Sequence, residues 1–161
     1  MHNEILTDLP LGISDLELPS TEHSSGTILL VDDDPDIRSL TRTFLEHEGY
    51  CVHSCGDPKR AAQVFHAALQ SSGGIDLLIT DFYMPDQSGM ELACELKTSL
   101  PELPVLLVSG GFFSAAQLQQ LRSEGWHFLS KPFSLPDFLT SVHLILKNNI
   151  AADALARHKQ A

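Results

Sequence analysis

The sequence predicts an α/β domain: a doubly wound, five-stranded parallel sheet with helices on both faces. Short, almost wholly apolar runs recur along the chain, as strands buried on both sides require. Between them lie segments with helical apolar spacing, two of which open on Asp-Pro. Five strands alternating with five helices leave each strand parallel to the one before it. The expected strand order is 2-1-3-4-5.

The first strand is "TILLVD", residues 27–32. Asp34 and Pro35 then supply a capping acid and a proline at the first helical position. Ile37, Leu40, Phe44 and Leu45 follow with helical spacing, and Gly49 closes the helix as a C-terminal cap. "YCVHSC" is a second, weaker strand. "DPKRAAQVFHAAL" repeats the Asp-Pro start, with Ala61, Val64, Phe65, Ala68 and Leu69 turned inward. "IDLLIT" is the third strand and "GMELACELKTSL" the third helix. "LPVLLVS" is the fourth strand. "SAAQLQQLRSEG" is a helix of mostly polar surface, with Ala115, Leu118 and Leu121 on one face. "WHFLS" is the fifth strand. "LPDFLTSVHLILKNN" is the fifth helix, packing through Phe138, Val142, Ile145 and Leu146.

The 161 residues, 43% of them hydrophobic, suit one core with surplus at the ends. Residues 1–26 hold Glu4, Asp8, Asp15, Glu17 and Glu22 but no Lys or Arg, and Pro10 and Pro19 interrupt any long helix. They read as an acidic, flexible tail or linker. Residues 27–148 form the domain, and 149–161 extend the last helix or fray. The net charge of −11 disfavours the nucleic acid backbone as a partner and favours cations. No apolar run approaches a membrane span and no signal peptide is evident, so a cytoplasmic location is expected. Cys51, Cys55 and Cys94 lack paired spacing and read as reduced thiols. The eight histidines carry no metal-binding spacing.

Chemistry gathers at one edge. Asp32 and Asp33 end the first strand, Asp81 the third, Ser109 the fourth and Lys131 the fifth. The C-terminal edge of an open parallel sheet, at a switch in strand order, is where such folds bind ligands. With strands one and three adjacent, the three carboxylates converge. They repel unless a cation joins them or one is protonated. An oxygen-only donor set selects a hard divalent ion, and Mg²⁺ suits a few carboxylates plus a phosphate. Lys131 supplies a fixed positive charge, and the Ser109 hydroxyl a hydrogen bond, to phosphoryl oxygens. A carboxylate can itself attack phosphorus and become an aspartyl-phosphate. Asp34 reads as a cap. Met84, Pro85 and Gly89 read as loop shaping, and Trp126 and Phe133 as packing.

Four segments, "ILLVDDDPDIR", "ITDFYMPDQSGMEL", "VLLVSGG" and "FLSKPFS", resemble the signature segments of the response-regulator receiver domain, the module of the chemotaxis regulator. The resemblance runs from Thr27 to Asn148. It implies a flavodoxin-like three-layer sandwich, with Asp81 as phosphoacceptor. It further implies that Asp33 binds Mg²⁺ directly, Asp32 mainly through water, and Tyr83 through its backbone carbonyl. Ser109 would be the switch hydroxyl, Lys131 the phosphoryl contact, Phe128 the rotating switch aromatic and Lys131–Pro132 a cis peptide. Gly110, Gly111 and Phe128 depart from the commonest residues at their positions, which bears on the lifetime of the phosphoryl group and the form of the switch. Phe128 has no hydroxyl to place, so its inward rotamer is expected to be accessible before phosphorylation.

The implied activity is acceptance of a phosphoryl group from a histidine kinase or phosphotransfer protein, assisted by Mg²⁺, with self-dephosphorylation. Phosphorylation would then change a partner-binding face made by the fourth helix, fifth strand and fifth helix. The same module detached from a hybrid histidine kinase or phosphorelay is the alternative. A haloacid-dehalogenase-type phosphatase lacks its general acid in "VDDDPD". A flavodoxin-type carrier needs a Ser/Thr/Gly-rich phosphate loop where three acids stand.

Overall fold

The computed structural model describes residues 26–71 and 73–158. The tail predicted for the N-terminus therefore lies outside the described residues, apart from Gly26. Among the described residues, five strands and five helices alternate: β1 (Thr27–Val31), α1 (Pro35–His47), β2 (Cys51–Cys55), α2 (Pro58–Gln70), β3 (Leu77–Asp81), α3 (Gly89–Ser99), β4 (Val105–Ser109), α4 (Ala115–Ser123), β5 (His127–Ser130) and α5 (Leu135–His158). All four strand pairs are parallel, in the order β2-β1-β3-β4-β5.

The strands are buried on both faces because alternate side chains enter two separate cores. Leu29, Val31, Leu78 and Leu107 pack with Phe65 of α2, Leu92 and Leu96 of α3, and Leu121 of α4. Ile28, Leu30, Leu77, Ile79 and Leu106 pack with Leu45 of α1 and with Phe138, Val142, Ile145 and Leu146 of α5. The helix starts follow local chemistry. Asp34 Oδ1 accepts from the N–H groups of Asp36 and Ile37, at 2.9 and 3.1 Å, and Asp57 Oδ1 from that of Arg60 at 2.8 Å. Ser88 with Glu91, and Ser114 with Gln117, form reciprocal capping boxes on α3 and α4. Gly49 lies just past α1 at φ 94°, in the left-handed region that ends helices.

Five residues placed on inward-facing helical spacings are exposed: Ile37 at 41%, Leu40 at 54%, Leu69 at 36%, Leu118 at 40%, and Ala115. Helical spacing defines a stripe but not how far along it the sheet reaches. In α1 the covered residue is Leu45, in the last turn, while Ile37 sits in the first turn at the rim of the sheet. In α4 only Leu121 is buried. The last helix does extend: α5 runs to His158. No helix among the described residues is long and apolar enough to cross a membrane.

Candidate functional site

The topology places β1 and β3 side by side, with Val31 paired to Thr80. The next residues in each chain, Asp32 and Asp81, therefore emerge together at the C-terminal edge. Ligand oxygens of Asp32, Asp33 and Asp81 all lie within 4.8 Å of one another. Asp32 is buried and Asp33 exposed, so the cluster opens to solvent on one side. Lys131 Nζ stands 3.6 Å from Asp32 Oδ2 and 3.7 Å from Asp81 Oδ1. Lys131 thus pairs with two of the three carboxylates, and Asp33 has no cation beside it among these pairs. Burial pushes the Asp81 carboxyl above its usual range; Lys131 opposes this and Asp32 adds to it, and the Phe82 N–H lowers it again. The charge deficit and the oxygen-only donors together fit a hard divalent cation.

The loops hold these groups in place. The Phe82 N–H donates to Asp81 Oδ1 at 2.9 Å, and the Asp34 N–H to Asp32 Oδ1 at 2.9 Å. Arg38 of α1 donates to the Asp32 carbonyl at 2.6 Å. Ser109 is buried at the end of β4, its Oγ accepting the Gly111 N–H at 3.1 Å, while its carbonyl accepts the Lys131 N–H at 2.7 Å. Lys131–Pro132 is cis. Gly89 opens α3 hard against β3: a Cβ there would collide with the Asp81 carbonyl and reach Thr80 at 3.0 Å. Phe133 stacks on Phe138 at 5.4 Å and 19°, and Trp126 is buried in the core beside Leu121, so both are packing residues.

The chain matches the family model described as the response regulator receiver domain over residues 28–143. The chain belongs to this receiver family. It is a receiver domain of two-component signalling. This receiver is 33% identical over 118 residues to the DNA-binding transcriptional regulator NtrC of Bradyrhizobium sp. (strain RP501 Parasponia), an alignment covering 73% of this chain and 24% of that protein. It is 30% identical over 157 residues to the sensor histidine kinase TmoS of Ectopseudomonas mendocina, covering 96% of this chain and 16% of that protein. The chain therefore spans about a quarter or less of either relative. A receiver domain protein (CheY-like) from Methanospirillum hungatei JF-1 superposes with a TM-score of 0.70 at 25% identity, covering 80% of this chain and 99% of that one.

The predicted residues of this receiver are distributed unevenly. Asp32, Asp33, Asp81 and Lys131 converge, and Ser109 ends the neighbouring strand. Phe128, whose inward rotamer is expected to be accessible, lies outward in this structure. Its ring is 38% exposed and meets Phe113 edge-on at 4.4 Å and 87°. The outer position offers the ring an aromatic partner, and Ser109 still fills its place in β4. Sequence reasoning missed Arg38 as a brace for the Asp32 backbone. It also gave Tyr83 a role only through its carbonyl, whereas the Tyr83 hydroxyl donates to the Phe112 carbonyl at 3.2 Å.

Proposed function

We propose that this receiver takes a phosphoryl group on Asp81 from a phosphohistidine of a kinase or phosphotransfer protein in the cytoplasm. The observation that carries the reading is the convergence of three carboxylates within 4.8 Å, two of them, Asp32 and Asp81, bridged by Lys131. The Phe82 N–H and Lys131 engage Asp81 Oδ1, so Oδ2 is the oxygen that attacks phosphorus. The new O–P bond forms as the N–P bond breaks, and the electron pair leaves with the imidazole nitrogen. Lys131 neutralises charge that builds on the phosphoryl oxygens. Asp33, Asp81 and the Tyr83 carbonyl would hold Mg²⁺, with Asp32 acting mainly through water, and the ion would supply further charge neutralisation. Ser109 then donates to a phosphoryl oxygen. The exposed Ile37 lines the same shallow hollow as Asp81 and Lys131, which gives a donor protein an apolar foothold beside the acceptor. Hydrolysis returns the carboxylate. A second reading, the same chemistry within a hybrid histidine kinase or phosphorelay, is favoured by the likeness to TmoS.

Mg²⁺ should stabilise the fold by relieving the repulsion at the cluster. At about 100-fold over its dissociation constant the gain is about 2.7 kcal/mol. Asp33→Ala should lose it, as read from urea unfolding with and without Mg²⁺. Equal gains in both proteins would put the metal elsewhere. Backbone amide shifts with and without beryllofluoride, a phosphoryl mimic, test the switch. Changes should run from the pocket through residues 109–139, across α4, β5 and the start of α5. Changes confined to the surroundings of Asp81 would reject that route and the partner face it serves.

A further inference from the structure

Gly111 is a glycine without a backbone reason to be one. Among the described residues the positive-φ glycines are Gly49, Gly74 and Gly125. What Gly111 does lack is room for a side chain. A Cβ there would stand 2.5 Å from Tyr83 Cε2, 3.1 Å from its hydroxyl oxygen and 3.2 Å from Cζ. Real Cβ atoms do not approach so closely, so the missing methyl is what lets the Tyr83 ring lie on the β4–α4 loop. One residue on, the Phe112 carbonyl accepts the Tyr83 hydroxyl at 3.2 Å. One atom back, the Gly111 N–H donates to Ser109 Oγ at 3.1 Å. Gly110 is different: its Cβ would meet only Lys131 Cβ, at an ordinary 3.7 Å.

These contacts join the two loops that flank the acceptor. Tyr83 belongs to the β3–α3 loop, two residues beyond Asp81. Its ring is edge-on to Phe82 at 4.6 Å, Phe82 to Phe113 at 4.8 Å, and Phe113 to Phe128 at 4.4 Å. The hydroxyl and the ring pin residues 111 and 112 at one end of this ladder, and Gly111 in turn holds the Ser109 hydroxyl oxygen. For Ser109 to reach a phosphoryl oxygen, its Oγ must leave the Gly111 N–H or drag the loop with it. If the loop moves, Gly111 and Phe112 must slide against the Tyr83 ring.

We propose that the Tyr83 side chain is a positioning residue that clamps the β4–α4 loop in the resting state through Gly111 and Phe112. The proposal rests on the receiver chemistry assigned to Asp81 and Ser109. The clamp raises the cost of bringing Ser109 to the acceptor. A ligand that favours the displaced loop must then supply that cost from its own binding free energy. Loosening the clamp therefore tightens binding of a phosphoryl mimic.

The test compares beryllofluoride affinity, in saturating Mg²⁺, for the full chain and for Tyr83→Phe, Gly111→Ala and Gly110→Ala. Tyr83→Phe removes one hydrogen bond and keeps the ring, so binding should tighten about three- to tenfold. Gly111→Ala displaces the ring as well and should tighten it at least as much, with the Ser109 amide shift moving in both variants even without ligand. Gly110→Ala should bind like the wild type. Unfolding midpoints are recorded beside the affinities, because a merely structural contact would lower the midpoint and weaken binding or leave it alone. Unchanged or weaker binding in Tyr83→Phe and Gly111→Ala overturns the clamp, as does equal tightening in Gly110→Ala. A wild type that binds no beryllofluoride would instead overturn the receiver chemistry on which the clamp depends.

Discussion

Asp81→Asn should reduce phosphoryl labelling from acetyl phosphate and Mg²⁺ to background, where the wild type gains one group that hydroxylamine removes. An amide oxygen is a far weaker nucleophile than a carboxylate, and the product could not be the mixed anhydride. Labelling at the wild-type level would sink the assignment of Asp81. The same variant carries a second expectation. Burial holds the Asp81 carboxyl above its usual range, against the pull of Lys131 and with a contribution from Asp32. The folded state therefore binds this proton more tightly than the unfolded chain does. Below the usual Asp range the carboxyl is neutral in both states and costs nothing. As pH rises from there to the raised value, ionisation works against the fold. Asn does not titrate. Without divalent ions, Asp81→Asn should gain stability relative to the wild type across that window and hold the advantage above it, in urea midpoints measured along a pH series. A gap that closes with rising pH would mean that Lys131 outweighs burial.

Phe138→Ala should cost about 3–5 kcal/mol, the range for a large aromatic side chain removed from a packed core. Phe138 is 2% exposed and stacks on Phe133, and both border the hollow that also holds Asp32, Asp81 and Lys131. Phe133 follows Lys131 by two residues, so its packing also anchors the turn that carries the ammonium group. The expected result is a lower urea midpoint together with slower labelling by acetyl phosphate at a temperature where the variant is still folded. Phe138→Leu should keep most of both. A loss under about 1 kcal/mol in Phe138→Ala would mean the cavity collapses freely and the stack anchors nothing.

What could be read from the chain depended on how local the cause was. The Asp-Pro openings of α1 and α2 are legible because a capping carboxylate and the amides it accepts from lie within three residues. The edge that collects Asp32, Asp81, Ser109 and Lys131 is legible because strand ends follow from strand lengths, and parallel strands put those ends together. The exposure of Ile37 and Leu40 is not, because periodicity reports a helical face without saying where the sheet stops. Nor is the orientation of Phe128, since the ring that holds it, Phe113, belongs to a loop whose path is set by tertiary contacts. Tyr83 was read through its carbonyl alone because its side-chain partners are Gly111 and Phe112, almost thirty residues away. The one local hint was Gly111 itself, a small residue where a larger one is common in the family.

The 24 residues of α5 make a rod about 36 Å long at 1.5 Å per residue. Its buried side chains Phe138, Val142, Ile145 and Leu146 all lie in the first half, where they pack under the sheet. From Lys147 to His158 the helix runs on for roughly 18 Å. A tilt of about 10° around the gripped half would sweep the far end through about 3 Å over that length. α5 has the length of a lever arm: a reorientation too small to disturb the packing of Val142 or Ile145 would become, at its tip, a stroke as wide as a water molecule.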